Sequence, residues 1–288
     1  MAKRFNPTSI KSGVNFRINE QGKVKLAEWT SSDKGKTITK LENFQITTMA
    51  RDVSGNFIID TEIHNHPDVG PKPTRLGIHF LFDDIHQNFI TRFAMYVDDC
   101  LVCKGDGQRA VRIENEKEKE VSCPCDYING VEKDGEFNIC KPAGILNVGL
   151  DVCRKVGSVY IFRTHSWMSI ENILTSLTTI HSITGGILAG IPLDLVVRPK
   201  SVKDKKKASH IVFIANVEFI GNRRLLEEKA EEIRIYRKQH NIVLPDSTDL
   251  IKTLTNETKS QQEEVRQEFY PDNNKPVKDK KSNSRRLF

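Results

Sequence analysis

Five of the six cysteines lie between Cys100 and Cys140, as Cys100-Leu-Val-Cys103, Cys123-Pro-Cys125 and Cys140. This crowding constrains the fold more than any other feature. Zinc takes four tetrahedral thiolate or imidazole ligands, and a C-x-x-C turn brings two sulfurs to one ion from a tight knuckle. Cys123, Cys125 and Cys140 then offer three sulfurs for the two remaining places. One of the five therefore stands outside the coordination sphere, and the sequence leaves open which. Binding would close a loop of about forty residues with little apolar content, so that metal substitutes for core. Four protein thiolates leave no position for water, so the zinc is expected to be structural rather than catalytic. The competing reading is a set of reduced surface cysteines. Cys153 sits beyond a strand and reads as buried packing.

A chain of 288 residues with 38% apolar residues can bury a real core. Clustered cysteines in a chain of this size fit a reducing compartment better than a disulfide framework. The opening Met-Ala-Lys-Arg-Phe-Asn has no apolar signal region, and no run approaches the ~18 apolar residues of a membrane-spanning helix. A cytoplasmic protein is expected. The net charge of +6 comes from two segments, Pro199 to Ser209 with five lysines against one aspartate, and Pro271 to Phe288 with six Lys/Arg against two aspartates. Lys203, Lys205, Lys206 and Lys207 in the first are candidate nucleic-acid contacts, and a solvated loop is the alternative.

Periodicity predicts an α+β fold, with mixed and antiparallel sheets, a central amphipathic helix, a cysteine zinc module inserted between strands, and charged C-terminal helices. Residues 1–35 read as a loosely structured opening, the first part of a β-rich region over 1–99. Phe44, Ile46, Phe57, Ile59 and Ile63 have strand-like spacing around the turn Asp52 to Asn56, which predicts a hairpin. Leu76, Ile78, Phe80 and Phe82 alternate as a half-buried strand, and Phe93 to Val97 is another. The cysteine module, 100–143, reads as loop-rich. Over 144–221 the pattern is β-β-α-β-β: Ile145 to Leu150, Val159 to Phe162, the helix Trp167 to His181 with Ser166 as N-cap and Gly185-Gly186 as its stop, then Leu193 to Arg198 and His210 to Phe219. Peripheral charged helices are expected over 222–270 and a disordered basic tail over 271–288.

No catalytic constellation emerges. Lys104-Gly-Asp-Gly107 and Gly185 to Gly190 lack the Lys-Ser/Thr and helix of a phosphate loop. His64-Asn-His66 reads as a polar strand end, and Thr164-His165-Ser166 as a helix start with a capping serine. Asp83-Asp84 and Asp98-Asp99 read as solvated strand ends.

Cys103-Lys-Gly-Asp-Gly107, Cys123-Pro-Cys125, Cys140-Lys-Pro-Ala-Gly-Ile-Leu-Asn-Val and the run Thr164 to Pro199 together resemble the recombination directionality factor-like family of phage proteins. The order of the parts agrees as well. Lys72-Pro-Thr precedes the cysteines, Val159-Tyr-Ile-Phe-Arg-Thr leads into the helix, and Ala189-Gly-Ile-Pro-Leu193 opens a strand ending at Arg198-Pro199. The similarity runs from about Ile38 to Phe219, with a weaker echo in Glu268-Phe-Tyr-Pro271. It implies a non-catalytic factor in a phage-infected or lysogenic host, which binds a large serine integrase on attachment-site DNA and turns it toward prophage excision. The alternative is a zinc-stabilised nucleic-acid-binding accessory of phage replication or recombination. A hydrolase using the cysteine cluster is the least favoured reading.

Overall fold

Alternating apolar residues and β-branched runs make strand the dominant conformation, and a computed structural model describes residues 20–32, 35–53, 56–97, 100–114, 117–133, 136–203, 209–242, 244 and 259–269. Its strands are β1 (Glu20–Ser32), β2 (Gly35–Arg51), β3 (Phe57–Ile59), β4 (Arg75–His79), β5 (Phe89–Val97), β6 (Cys100–Gly105), β7 (Arg109–Glu114), β8 (Lys117–Ser122), β9 (Val131–Lys133), β10 (Glu136–Asn138), β11 (Lys141–Leu150), β12 (Val159–Thr164), β13 (Leu193–Lys203) and β14 (Ser209–Glu218). The helices are α1 (Thr61–His64), α2 (Ile85–Asn88), α3 (Trp167–Ile183), α4 (Arg223–Gln239) and α5 (Lys259–Phe269). The fold is α+β, with few helices against much sheet. No helix among the described residues is long and apolar enough to cross a membrane.

The chain forms two compact units, one of Met1–Glu28, Thr39–Thr91 and Ala143–Glu257, the other of Trp29–Ile38, Arg92–Pro142 and Thr258–Phe288. In the first, β11 is central. Ala143 through Leu150 are all buried, as expected of a strand covered on both faces. Its first part pairs antiparallel with β12, Leu146 facing Phe162, and its end pairs with β4 at Gly149 and His79. β12 in turn runs parallel to β1, β4 pairs antiparallel with β13, and β13 with β14. α3 packs its apolar stripe, Ile170, Ile173, Leu177 and Ile180, into the core with Phe44, Phe80, Leu146, Phe162 and Val217. Ser166 caps it by accepting from the Ser169 amide, and Gly185 and Gly186, both at positive φ, end it. The central helix and the β-β-α-β-β order are as the periodicity predicts.

In the second unit β5, β6, β7 and β8 form an antiparallel meander, and β9 pairs with β10. One small buried cluster gathers Met95, Cys103 and Ala110 of the meander with Cys140, and β5 buries Ala94 and Tyr96 as well. α5 is fastened at both ends. The Leu101 amide donates to Gln262 Oε1 at 3.0 Å, and Lys141 Nζ donates to the Phe269 carbonyl at 2.9 Å. A cation there meets the negative end of the helix dipole. Burial pushes the Lys141 ammonium below its ordinary range.

Several expectations are corrected. The loosely structured opening holds instead a long strand, β1, from Glu20 on, while residues 1–19 lie outside the described set. Ile63 sits in α1 rather than on a strand, because Asp60 accepts from the Ile63 amide and caps a helical turn. The cysteine region is mostly strand. Its β7 and β8 escape a hydrophobic-pattern reading because they face each other with charged pairs, among them Arg109 with Glu120 and Lys119 with Glu114, and β8 lies at the sheet edge. His64 is not at a strand end: its Nε2 accepts from the Ile46 amide at 3.0 Å, so Nδ1, 3.2 Å from the Gly70 carbonyl, carries the proton and donates there. Asp83 and Asp84 are not merely solvated. Asp84 caps α2, and Asp83 accepts from the Leu188 and Ala189 amides and from Arg237 of α4 at 2.6 and 3.1 Å. Asp98-Asp99, residues 247–258 and the tail 271–288 lie outside the described residues.

Burial pushes the Asp83 carboxyl up, but the Arg237 bonds and the two amides outweigh it and hold the group below the ordinary carboxylate range. A group with a depressed folded pKa stabilises the fold above its ordinary value and loses that contribution as pH falls through the folded one. Asp83→Asn should therefore cost about 1–2 kcal/mol near neutral pH, with the difference from wild type in thermal unfolding shrinking below about pH 4.

Candidate functional site

The second unit gathers four of its thiols. Cys103 lies on β6, where the register slips so that Met95 faces Cys103 and Tyr96 faces Leu101, a bulge of the kind that re-aims a side chain. Cys123 and Cys125 follow β8 directly, with the Cys123 amide donating to the Gln108 carbonyl at 3.1 Å. Cys140 precedes β11 and donates its amide to the Tyr127 carbonyl at 2.8 Å. Cys103, Cys123, Cys125 and Cys140 line one small cavity closed by Phe93 and Ile128. Gly105 makes the approach possible, since a Cβ there would stand 2.7 Å from Cys123 Sγ and 2.9 Å from the Arg109 carbonyl oxygen. Cys100 is exposed at the start of β6 and does not line the cavity. Cys153 is partly buried against the core of the first unit.

Arg112 of β7 joins this group. Its Nη2 donates to Cys125 Sγ at 3.1 Å, and its guanidinium lies 4.7 Å over the Tyr127 ring. Burial pushes the Cys103 thiol up while Arg112 pulls the other way. The Cys140 thiol is pushed up to about 12, first by burial and then by the three neighbouring sulfurs. Cys103 and Cys140 thus keep their protons near neutral pH unless a cation draws them to thiolate. Among the described residues no group of three or more His, Cys, Asp or Glu side chains stands gathered as a ready metal cage. The donor set nonetheless suits zinc in kind: four sulfurs, no carboxylate, and a guanidinium to offset the charge of a tetrathiolate ion. Binding would require the sulfurs to close in to about 2.3 Å from the metal. Sequence spacing gave no sign of Arg112 or Tyr127, because neither belongs to a ligand motif and both reach the sulfurs only through strand pairing and the Asp126–Asn129 turn.

The other candidates fall elsewhere. Lys203 is the exposed last residue of β13, and Lys205, Lys206 and Lys207 lie outside the described residues. Thr164-His165-Ser166 forms the helix start, with Thr164 Oγ1 accepting from the Ser166 amide. The exposed pair His79 and Asp151, 2.7 Å apart across β4 and the end of β11, was not singled out by sequence.

Gly105→Ala should destabilise the meander by about 1–3 kcal/mol. Thermal unfolding would report it, as would faster reaction of Cys123 with a thiol reagent.

No curated protein and no solved structure matches the chain. The family model described as Gp3-like, recombination directionality factor-like, matches residues 16–220, which takes in the resemblance carried by the cysteine module and the α3 region and extends it back through β1. That span is well over half of the chain, and the protein belongs to the recombination directionality factor-like family.

Proposed function

We propose that this chain is a phage recombination directionality factor, which binds a large serine integrase on attachment-site DNA and switches it to prophage excision without contributing a catalytic residue. Family membership over residues 16–220 carries the proposal. Two of the polar groups that sequence alone singles out serve structural tasks, Asp83 holding Arg237 and His64 holding the β2 backbone. The mechanism is a population shift: the factor binds the integrase arrangement that synapses excision sites more tightly than the one that synapses integration sites. Turning a 1:99 preference into 99:1 needs a differential affinity of about 10⁴-fold, or ~5.5 kcal/mol. A broad protein contact can supply that without chemistry.

The same proposal includes a structural zinc held by Cys103, Cys123, Cys125 and Cys140, with Cys100 outside the sphere. What supports it is the convergence of four thiols on one cavity, in a cluster whose other buried members among the described residues are Met95 and Ala110. The ion would supply cross-linking that this small core cannot, and Arg112 would donate to the sulfurs and offset their charge.

Recombination between the two prophage attachment sites should appear only when this chain is added to its cognate integrase, and integration should fall. No change in either direction, using folded protein, would remove the directionality reading. Metal analysis of the purified chain should find about one zinc, with Cys103→Ser and Cys140→Ser losing it and Cys100→Ser keeping it. A metal-free wild-type protein with an unchanged melting temperature on adding zinc would remove the metal.

A further inference from the structure

Three strands among the described residues show how this chain guards its sheet edges. β8 alternates Lys117-Glu-Lys-Glu120, and β3 is only three residues long. Charge and brevity of this kind keep an edge from pairing with another chain. On β13 the Val197 amide donates to the Thr74 carbonyl at 2.9 Å, on the side away from β14. Two residues on, Pro199 faces the same way with no N–H to offer, and Lys203 ends the strand.

β14 has none of these guards. Among the described strands it pairs only with β13. Its Ala215 amide turns away from β13, since it donates to Ser169 Oγ of α3 at 3.1 Å. The β13–β14 register is unbroken, and an antiparallel ladder alternates, so Phe213, Ile211 and Ser209 also turn their backbone groups outward. From Ala215 onward α3 takes this edge, with Ser176 Oγ donating to Asn216 Oδ1 at 2.9 Å. From Ser209 to Phe213 the edge is open, and among the described residues the outward amides of Ile211 and Phe213 have no partner. No Asp, Glu, Lys or Arg occurs from Ser209 through Val217, and Ile211 is 65% exposed.

We propose that this open edge joins a second copy of the chain, β14 against β14, antiparallel about a two-fold axis at Ile211. In that register Ile211 stands opposite Ile211 of the second copy, Ser209 opposite Phe213, and His210 opposite Val212. Outward-facing residues then meet outward-facing ones and exchange about six backbone hydrogen bonds. The pairing fills the free segment and stops where α3 begins. Charge selects this occupant. A strand rich in acids or bases would find no counter-charge in β14, whereas the uncharged, largely apolar segment matches itself. The exposed Lys200 and Lys203 lie one strand behind the edge, so lysines of the two copies are three strand spacings apart, about 14 Å. That exceeds the Debye length of about 8 Å, and their repulsion is largely screened. Five residues a side fall well short of the about 20–30 of a standard interface, so association is expected only above roughly 10 μM. It does not depend on the directionality reading.

The test is sedimentation velocity of the full chain from about 5 μM to about 1 mM. The wild type should shift from monomer toward dimer across that range. I211K sets two lysines directly opposite each other and should weaken association about tenfold or more, as should I211E by itself. An equal mixture of I211K and I211E should restore it, because only a two-fold register at Ile211 places the two new charges together. Ile211 is exposed, so both variants should melt with the wild type. In the wild type the Ile211 and Phe213 amides should exchange more slowly as concentration rises, while the Val212 amide, already bonded to β13, should not change. A wild type that stays monomeric throughout would overturn the proposal, as would association unaltered by I211K or not regained in the mixture. Protection of the Ile211 and Phe213 amides only when a recombinase is added would also overturn it, in favour of a strand from that partner.

Discussion

Burial of α3 is the interaction on which the first unit depends. Each of Ile170, Ile173, Leu177 and Ile180 removed from water contributes about 1.5–3 kcal/mol, and each also fixes a neighbour. β11 admits the helix only because Gly144 has no side chain, since a Cβ there would meet Phe89 at 2.9 Å and Ile170 at 3.0 Å. On its other flank Ser169 Oγ accepts from the Ala215 amide at 3.1 Å, pinning β14 to the first turn. The end of α3 is an anchor in turn: Arg234 of α4 donates to the Thr184 carbonyl at 3.2 Å, and Arg237 reaches the Ala189 carbonyl at 2.6 Å as well as Asp83. A helix as charged as α4, with only Leu226 and Ala230 buried, is held largely by these polar ties.

The second unit follows a different economy. Among the described residues the cluster beneath its thiols is small, and two of its four buried members are cysteines. Arg112 stacked on Tyr127 and bonded to sulfur, α5 tied through Gln262 and Lys141, and the small cavity of thiols together replace what a larger hydrophobic core would do. Buried thiols with raised pKa are inert toward oxidants and ready for a metal that displaces their protons.

On the function proposed above, the chain would act through surface rather than chemistry: a difference in affinity for two arrangements of a recombinase is supplied by rigid display of contact regions more than by any single side chain. The hairpin of β13 and β14 illustrates this. Its inner half is core, which sets the direction of the strands, and its outer half carries the exposed Lys200 and Lys203.

The sequence by itself determined the elements whose apolar residues repeat with a clear period and whose ends carry strong local signals. α3, with Ser166 at one end and Gly185-Gly186 at the other, was legible for that reason, as were β4, β11, β12 and the β13–β14 hairpin, and so was the family, through ordered motifs around Cys103, Cys123 and Cys140. Tertiary structure alone decided the rest. β7 and β8 are strands because they add to the edge of a meander, not because they are apolar. Ile63 turned helical because Asp60 capped it. Which cysteines share a cavity, and that Arg112 joins them, depends on strand register, and pairing across strands is a long-range property that local periodicity does not encode.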